Sequence, residues 1–127
     1  MAKLVKMNGA EKPDIMTIKW VSENIPTYAA INTNIEENED GSYSWDALVL
    51  PEHVVNNIHI AEVNLKYKIL VIHIIRSYYD DNDATAILSN YLSEPTKEKY
   101  KVEFEKLQTC RTMAKTLATN IIENNIF

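Results

Sequence analysis

Tyr28-Ala-Ala-Ile-Asn-Thr-Asn-Ile35, Glu36-Glu-Asn-Glu-Asp-Gly41 and Ser42-Tyr-Ser-Trp-Asp-Ala-Leu-Val-Leu50 form the stretch that decides the fold. The outer runs are rich in β-branched and aromatic residues, and Asp40-Gly41 between them supplies the positive φ that a tight turn needs. The stretch therefore reads as a β-hairpin with an acidic tip, whose charge discourages edge-to-edge pairing. Working towards the N-terminus, Met16, Ile18 and Trp20 alternate with Thr17 and Lys19, the period of a half-buried strand. Pro26 interrupts next and suits a strand edge or a connection. Residues 1–14 show no such period. In the first twelve, Lys3, Lys6 and Lys12 stand against Glu11, and residues 1–14 read as a flexible or attachment arm, too sparse in charge for a polybasic anchor.

Pro51 closes the sheet part, residues 15–51, and the rest of the chain, 52–127, reads as helical. From about Ile60 to Tyr79 the apolar residues Val63, Tyr67, Leu70, Ile74 and Tyr78 recur at intervals of three and four. Asp80-Asp81-Asn82-Asp83 is dense in N-cap residues and predicts a short helix from Asp83 to about Leu92. Thr96 is placed to cap a third helix running to about Asn120, with Tyr100, Phe104, Leu107, Ala114, Leu117 and Ile121 as its stripe. The expected fold is one compact α+β domain, antiparallel strands with a hairpin followed by a three-helix C-terminal part.

Composition narrows the function. The chain has 127 residues, long enough for a real core, with 46% hydrophobic and 24% charged residues, as in globular domains. Gly9 and Gly41 are its two glycines, which leaves no glycine-rich phosphate loop. Cys110 is the lone cysteine, so neither an intrachain disulfide nor a cysteine metal cluster can form. The net charge of −5 lies in residues 1–55, which hold four Lys/Arg against nine Asp/Glu. That balance gives no footprint for a phosphate backbone, and no nucleic-acid partner is expected. The longest apolar run, Ile69–Ile75, is far short of the ~20 residues that span a bilayer. No membrane association is expected, and the start of the chain has no seven-residue apolar stretch of a secretory signal.

The chemistry-bearing residues do not assemble into motifs. His73 sits inside Val71-Ile72-His73-Ile74-Ile75 with no Ser or Cys at a motif spacing, and reads as a packed histidine. His53 and His59 are not a helical ligand pair, and no zinc set forms. From Asp81, the glycine and glutamate positions of a calcium loop fall on Ala86 and Leu92. A recognition helix opening on aspartates would repel DNA, and Cys110 has no histidine partner. No catalytic residue, metal or cofactor is therefore expected. Trp20 and Trp45, with Tyr28, Tyr43, Tyr78 and Tyr79, could supply an aromatic binding face, although packing of the tryptophans between sheet and helices is the plainer reading.

Three segments resemble a known group. Gly41-Ser-Tyr-Ser-Trp-Asp-Ala-Leu-Val-Leu-Pro51 is similar to the Trp-x-x-(apolar)-x-Leu-Pro segment of small virion, head-fibre-like proteins of crAss-like and related gut Bacteroides phages. Ile74-Ile-Arg-Ser-Tyr-Tyr-Asp-Asp-Asn-Asp-Ala-Thr-Ala-Ile-Leu-Ser-Asn-Tyr-Leu92 resembles their Ile-Ile-Arg-x-x-Tyr block. Phe104-Glu-Lys-Leu-Gln108 and Arg111-Thr-Met-Ala-Lys115 resemble their Phe-x-x-x-Gln-x-x-Arg-x-x-Ala-Lys helix. The resemblance covers roughly residues 41–50 and 69–118, and Pro51-Glu52-His53 departs from the Pro-Gly that often follows in the group. It implies a non-enzymatic structural protein of the virion, a capsid-attached head fibre or decoration component made in the bacterial cytoplasm. Its partners would be capsid or other virion proteins and further copies of itself, as a dimer or trimer. Trp20, Trp45, Leu117, Ile121, Lys3 and Lys6 are the expected subunit or partner contacts. The alternatives are a small phage accessory protein binding a host protein, and a tail-fibre assembly chaperone.

Overall fold

A computed structural model describes residues 3–22 and 25–124, without the side chains of residues 3, 20–22 and 25–27. Four strands come first: β1 (Lys3–Gly9), β2 (Met16–Ser22), β3 (Ile25–Glu37) and β4 (Tyr43–Leu50). Four helices follow: α1 (Glu52–Ile60), α2 (Val63–Tyr78), α3 (Asp81–Ser93) and α4 (Glu98–Glu123). The α+β class and the hairpin are as the sequence predicts. The hairpin is β3–β4, with Ala29 opposite Leu50 and Ile31 opposite Leu48. Gly41 turns it with φ of 84°, a backbone conformation that an L side chain disfavours.

The strands pair antiparallel in the order β1-β4-β3-β2, a Greek key read from its last strand backwards. Residues 10–15 carry the chain from one edge to the other. Crossing three strand spacings takes about 14 Å, which a segment of that length spans easily. Asn32 anchors this crossing, its Nδ2 donating to the Asp14 carbonyl at 2.8 Å and to Thr17 Oγ1 at 3.1 Å. These partners leave little of the Asn32 amide unsatisfied, although the residue is almost fully buried.

Three expectations need correction. Residues 3–9 are not a flexible arm: they form β1, paired along its length with residues 43–49 of β4. Val5 and Met7 do alternate with Lys6 and Asn8, but over too few residues to stand out, and β4 supplies the pairing from far along the chain. The helical part has four helices, because Glu52–Ile60 closes on the sheet through Val54, Val55 and Ile58, all buried. This helix is too short for its period to stand out, and its Asn56-Asn57 pair is a poor helix former in isolation. Finally, α4 starts after Lys97 and has no side-chain cap, whereas Thr96 was expected to supply one.

One sheet face makes the core. Met16, Ala29, Ile31, Leu48 and Leu50 pack with Val54, Val55 and Ile58 of α1, Leu70 and Ile74 of α2, and Ala114, Ala118 and Ile121 of α4. Ala114 and Ala118 are small enough for α4 to approach α2 closely. At 26 residues, α4 is about 39 Å long. Its second half packs on α2 and its first half on α3. There Tyr91 and Phe104 stack with centroids 4.0 Å apart and planes 4° from parallel. Asp80 caps α3, which starts two residues before the expected Asp83; its carboxylate accepts from Asp83 N at 2.7 Å.

Candidate functional site

The long strand β3 overhangs its neighbour. Its pairing with β2 ends at Ile31, whereas its pairing with β4 runs on to Glu37. Thr33–Ile35 therefore have a strand on one side only, and a groove opens on the other side. Its walls are Thr33, Asn34 and Ile35 of β3, Tyr78 and Tyr79 at the end of α2, and Lys106, Thr109, Cys110, Met113 and Leu117 of α4, with Lys12 and Ile15 at the crossing segment. Its volume is about 790 Å³, in the range of sites that hold a ligand or a short peptide. Tyr78 Oη lies 3.3 Å from Thr33 Oγ1, which ties the end of α2 to the overhang.

A second depression of about 530 Å³ continues the groove along α4 between Gln108, Thr109, Thr112, Met113, Thr116 and Leu117. The hydroxyls of Thr109, Thr112 and Thr116 each donate to the carbonyl four residues back. Their methyl groups, with Met113 and Leu117, give this stretch an apolar surface that a polar-residue count conceals. Charge enters the main groove through Lys12 and Lys106 alone; no carboxylate lines it. Both lysines are exposed, and neither forms an ion pair among the described residues.

Beside the groove, Asn34 takes φ of 52° where the register between Thr33 and Glu36 slips, a bulge in the ladder. The bulge aims the Asn34 amide at Asp46, donating to Oδ2 at 2.9 Å. Lys6 Nζ lies 2.7 Å from Asp46 Oδ1, an ion pair on the other carboxylate oxygen. Lys6 and then Asn34 hold the Asp46 carboxyl below its ordinary value of 3.8. The carboxylate is covered but shallow, and Lys6 itself is almost wholly in water.

The expected contact residues fall in different places. Leu117 is half-buried and lines the groove. Ile121 is fully buried in the chain's own core and has no surface left to offer a second subunit. Trp45 does not sit between sheet and helices: it pairs with Met7 on the opposite face, where its ring covers Gly9. Lys3 lies on the β1 edge opposite Val49, and Trp20 lies on β2; their side chains fall outside the described residues. Lys6 is engaged with Asp46.

His73 is half-buried on α2, and its Nδ1 has no hydrogen-bond partner. Burial, with Arg76 nearby, lowers its pKa from 6.5, so it is neutral at pH 7. Burial pushes the Cys110 thiol up, away from the reactive thiolate. No group of three potential metal ligands occurs among the described residues, and no described helix is long and apolar enough to cross a membrane. Lys12, Lys106 and Asn34 have no local sequence signal as site residues, because the groove joins segments far apart in the chain. No family model matches the chain, and neither a curated protein nor a solved structure matches it.

Proposed function

We propose that the chain is a non-enzymatic structural protein of a phage virion, a capsid-attached head fibre or decoration component that works by binding other proteins. The observation that carries the protein-binding part is the amount of large apolar surface left in water. Ile60 is 81% exposed and Leu92 is 78% exposed, and Val63, Leu65 and Ile72 also stand out from the start and outer side of α2. Leu65 and Ile72 are seven residues apart and share one helix face. Single exposed apolar residues are ordinary, but several on one helix mark a surface suited to a protein partner. The virion setting is supported by the resemblance of residues 41–50 and 69–118 alone.

Mass spectrometry of purified particles, compared with lysate of infected cells, tests the reading. Presence in particles at a fixed ratio to the capsid protein is the expected result. Abundance in lysate with absence from particles would overturn it in favour of an accessory protein or an assembly chaperone.

A further inference from the structure

The groove beside the β3 overhang is cationic in a chain whose net charge is −5, and its most concentrated acidic surface lies only a few residues away. Glu36, Glu37, Glu39 and Asp40 are all exposed at the tip of the β3–β4 hairpin. The tip is also ordered in advance. Asn38 N donates to the Ser42 carbonyl at 2.7 Å, and Gly41 N to the Asn38 carbonyl at 3.0 Å. Asn38 Nδ2 reaches Ser42 Oγ and Ser44 Oγ, and Ser44 Oγ donates to Asn8 Oδ1 at 2.8 Å. A segment already fixed in shape loses little conformational freedom when it docks.

We propose that the occupant of the groove is the acidic hairpin tip of a second copy of this chain. Lys12 and Lys106 supply the charge that meets Glu37 and Glu39, and Met113, Leu117 and Ile35 supply an apolar wall. None of the tip carboxylates lines the molecule's own groove or pairs with its lysines among the described residues, so the charge match is left to a second copy. Groove and tip are neighbours on one end of the molecule. A two-fold axis between two such ends seats both tips at once, each copy giving what it receives. The expected species is therefore a closed dimer. The inference rests on the reading of the chain as a protein-binding component and does not depend on where that component sits in a particle.

Sedimentation velocity of the full chain tests it with Lys106→Glu, with the pair Glu37→Lys and Glu39→Lys, and with all three changes combined. Wild type should be a dimer at micromolar concentration and should dissociate as salt is raised. Lys106→Glu and the tip pair should each weaken association by about tenfold or more, the scale of a close interfacial charge pair. The combined variant, which restores one opposite-charge contact while Lys12 still faces a lysine, should recover part of that loss. All these side chains are exposed, so circular dichroism should be unchanged and melting should fall only by what dimerisation adds; Lys12→Glu serves as a second groove variant. A monomeric wild type would overturn the proposal, as would variants that dimerise like wild type or an exchange that recovers nothing. Dimerisation is read in solution and virion incorporation in particles, so the two proposals fail separately.

Discussion

A methyl group added at Gly9 would lie 3.0 Å from the Trp45 ring, closer than carbon atoms ordinarily approach. The ring lies on the sheet face away from the helices and can move outwards, so the clash is relieved at a cost rather than by unfolding. Gly9→Ala should cost about 1 kcal/mol. In a Trp20→Phe background it should shift Trp45 emission to longer wavelength as the ring meets water; unchanged emission would contradict the contact. His73 tests charge. Its pKa is lowered in the folded chain, so the unfolded chain takes the proton first as pH falls below 6.5. The stability associated with neutral His73 is present above 6.5 and is lost as pH drops through that value towards the lower folded pKa. His73→Leu should flatten the fall in melting temperature over this window. Asp46, whose pKa is also lowered, acts only further down, below its ordinary 3.8. A loss between pH 7 and 5 that survives in His73→Leu would show that another group is responsible.

Among the elements, legibility followed how local the determining interaction is. The hairpin, the Asp80 cap and the long helices α2 and α4 depend on contacts within a few residues, and their signals are written in adjacent positions. β1 and α1 depend on β4 and on the sheet face, which lie elsewhere in the chain, so neither period nor propensity announced them. The stripe on α4 shows the same division. The sequence places Leu117 and Ile121 on one side of the helix, but it cannot tell which of them the sheet and α2 will cover. In the fold Ile121 is sealed and Leu117 faces the groove. The two substitutions should therefore part company. Ile121→Asp buries a charge with no partner and should destabilise the monomer by about 3 kcal/mol or more. Leu117→Asp, at the half-buried rim, should leave most of the stability and act on association. Thermal melts read beside sedimentation distinguish the effects; equal losses of stability would show that Leu117 belongs to the core.

For the whole molecule, the order β1-β4-β3-β2 makes the N-terminal strand a structural edge rather than a flexible tail. β1 completes the Greek key, shields one side of β4 from water, and brings Lys6 to Asp46. Its edge carries Lys3 and Lys6, charges that oppose pairing with a stray strand. Deleting residues 1–9 therefore removes three things together: the β1–β4 ladder, the Met7 and Gly9 neighbours of Trp45, and the cation that pairs with Asp46. At about 1 kcal/mol net for each of several ladder hydrogen bonds, the loss is roughly 3 kcal/mol or more. That is a large share of the about 5–15 kcal/mol by which a domain is usually stable. The deletion also turns β4, from Tyr43 to Leu50, into an unpaired edge without lysines to protect it. The truncated chain should melt well below the full one and form aggregates that grow with concentration, whereas Lys3→Ala alone should change little. Light scattering during a thermal ramp checks both. A truncated chain that melts like the full one and stays soluble would mean that β1 adds nothing to the sheet and that the first residues are an arm after all.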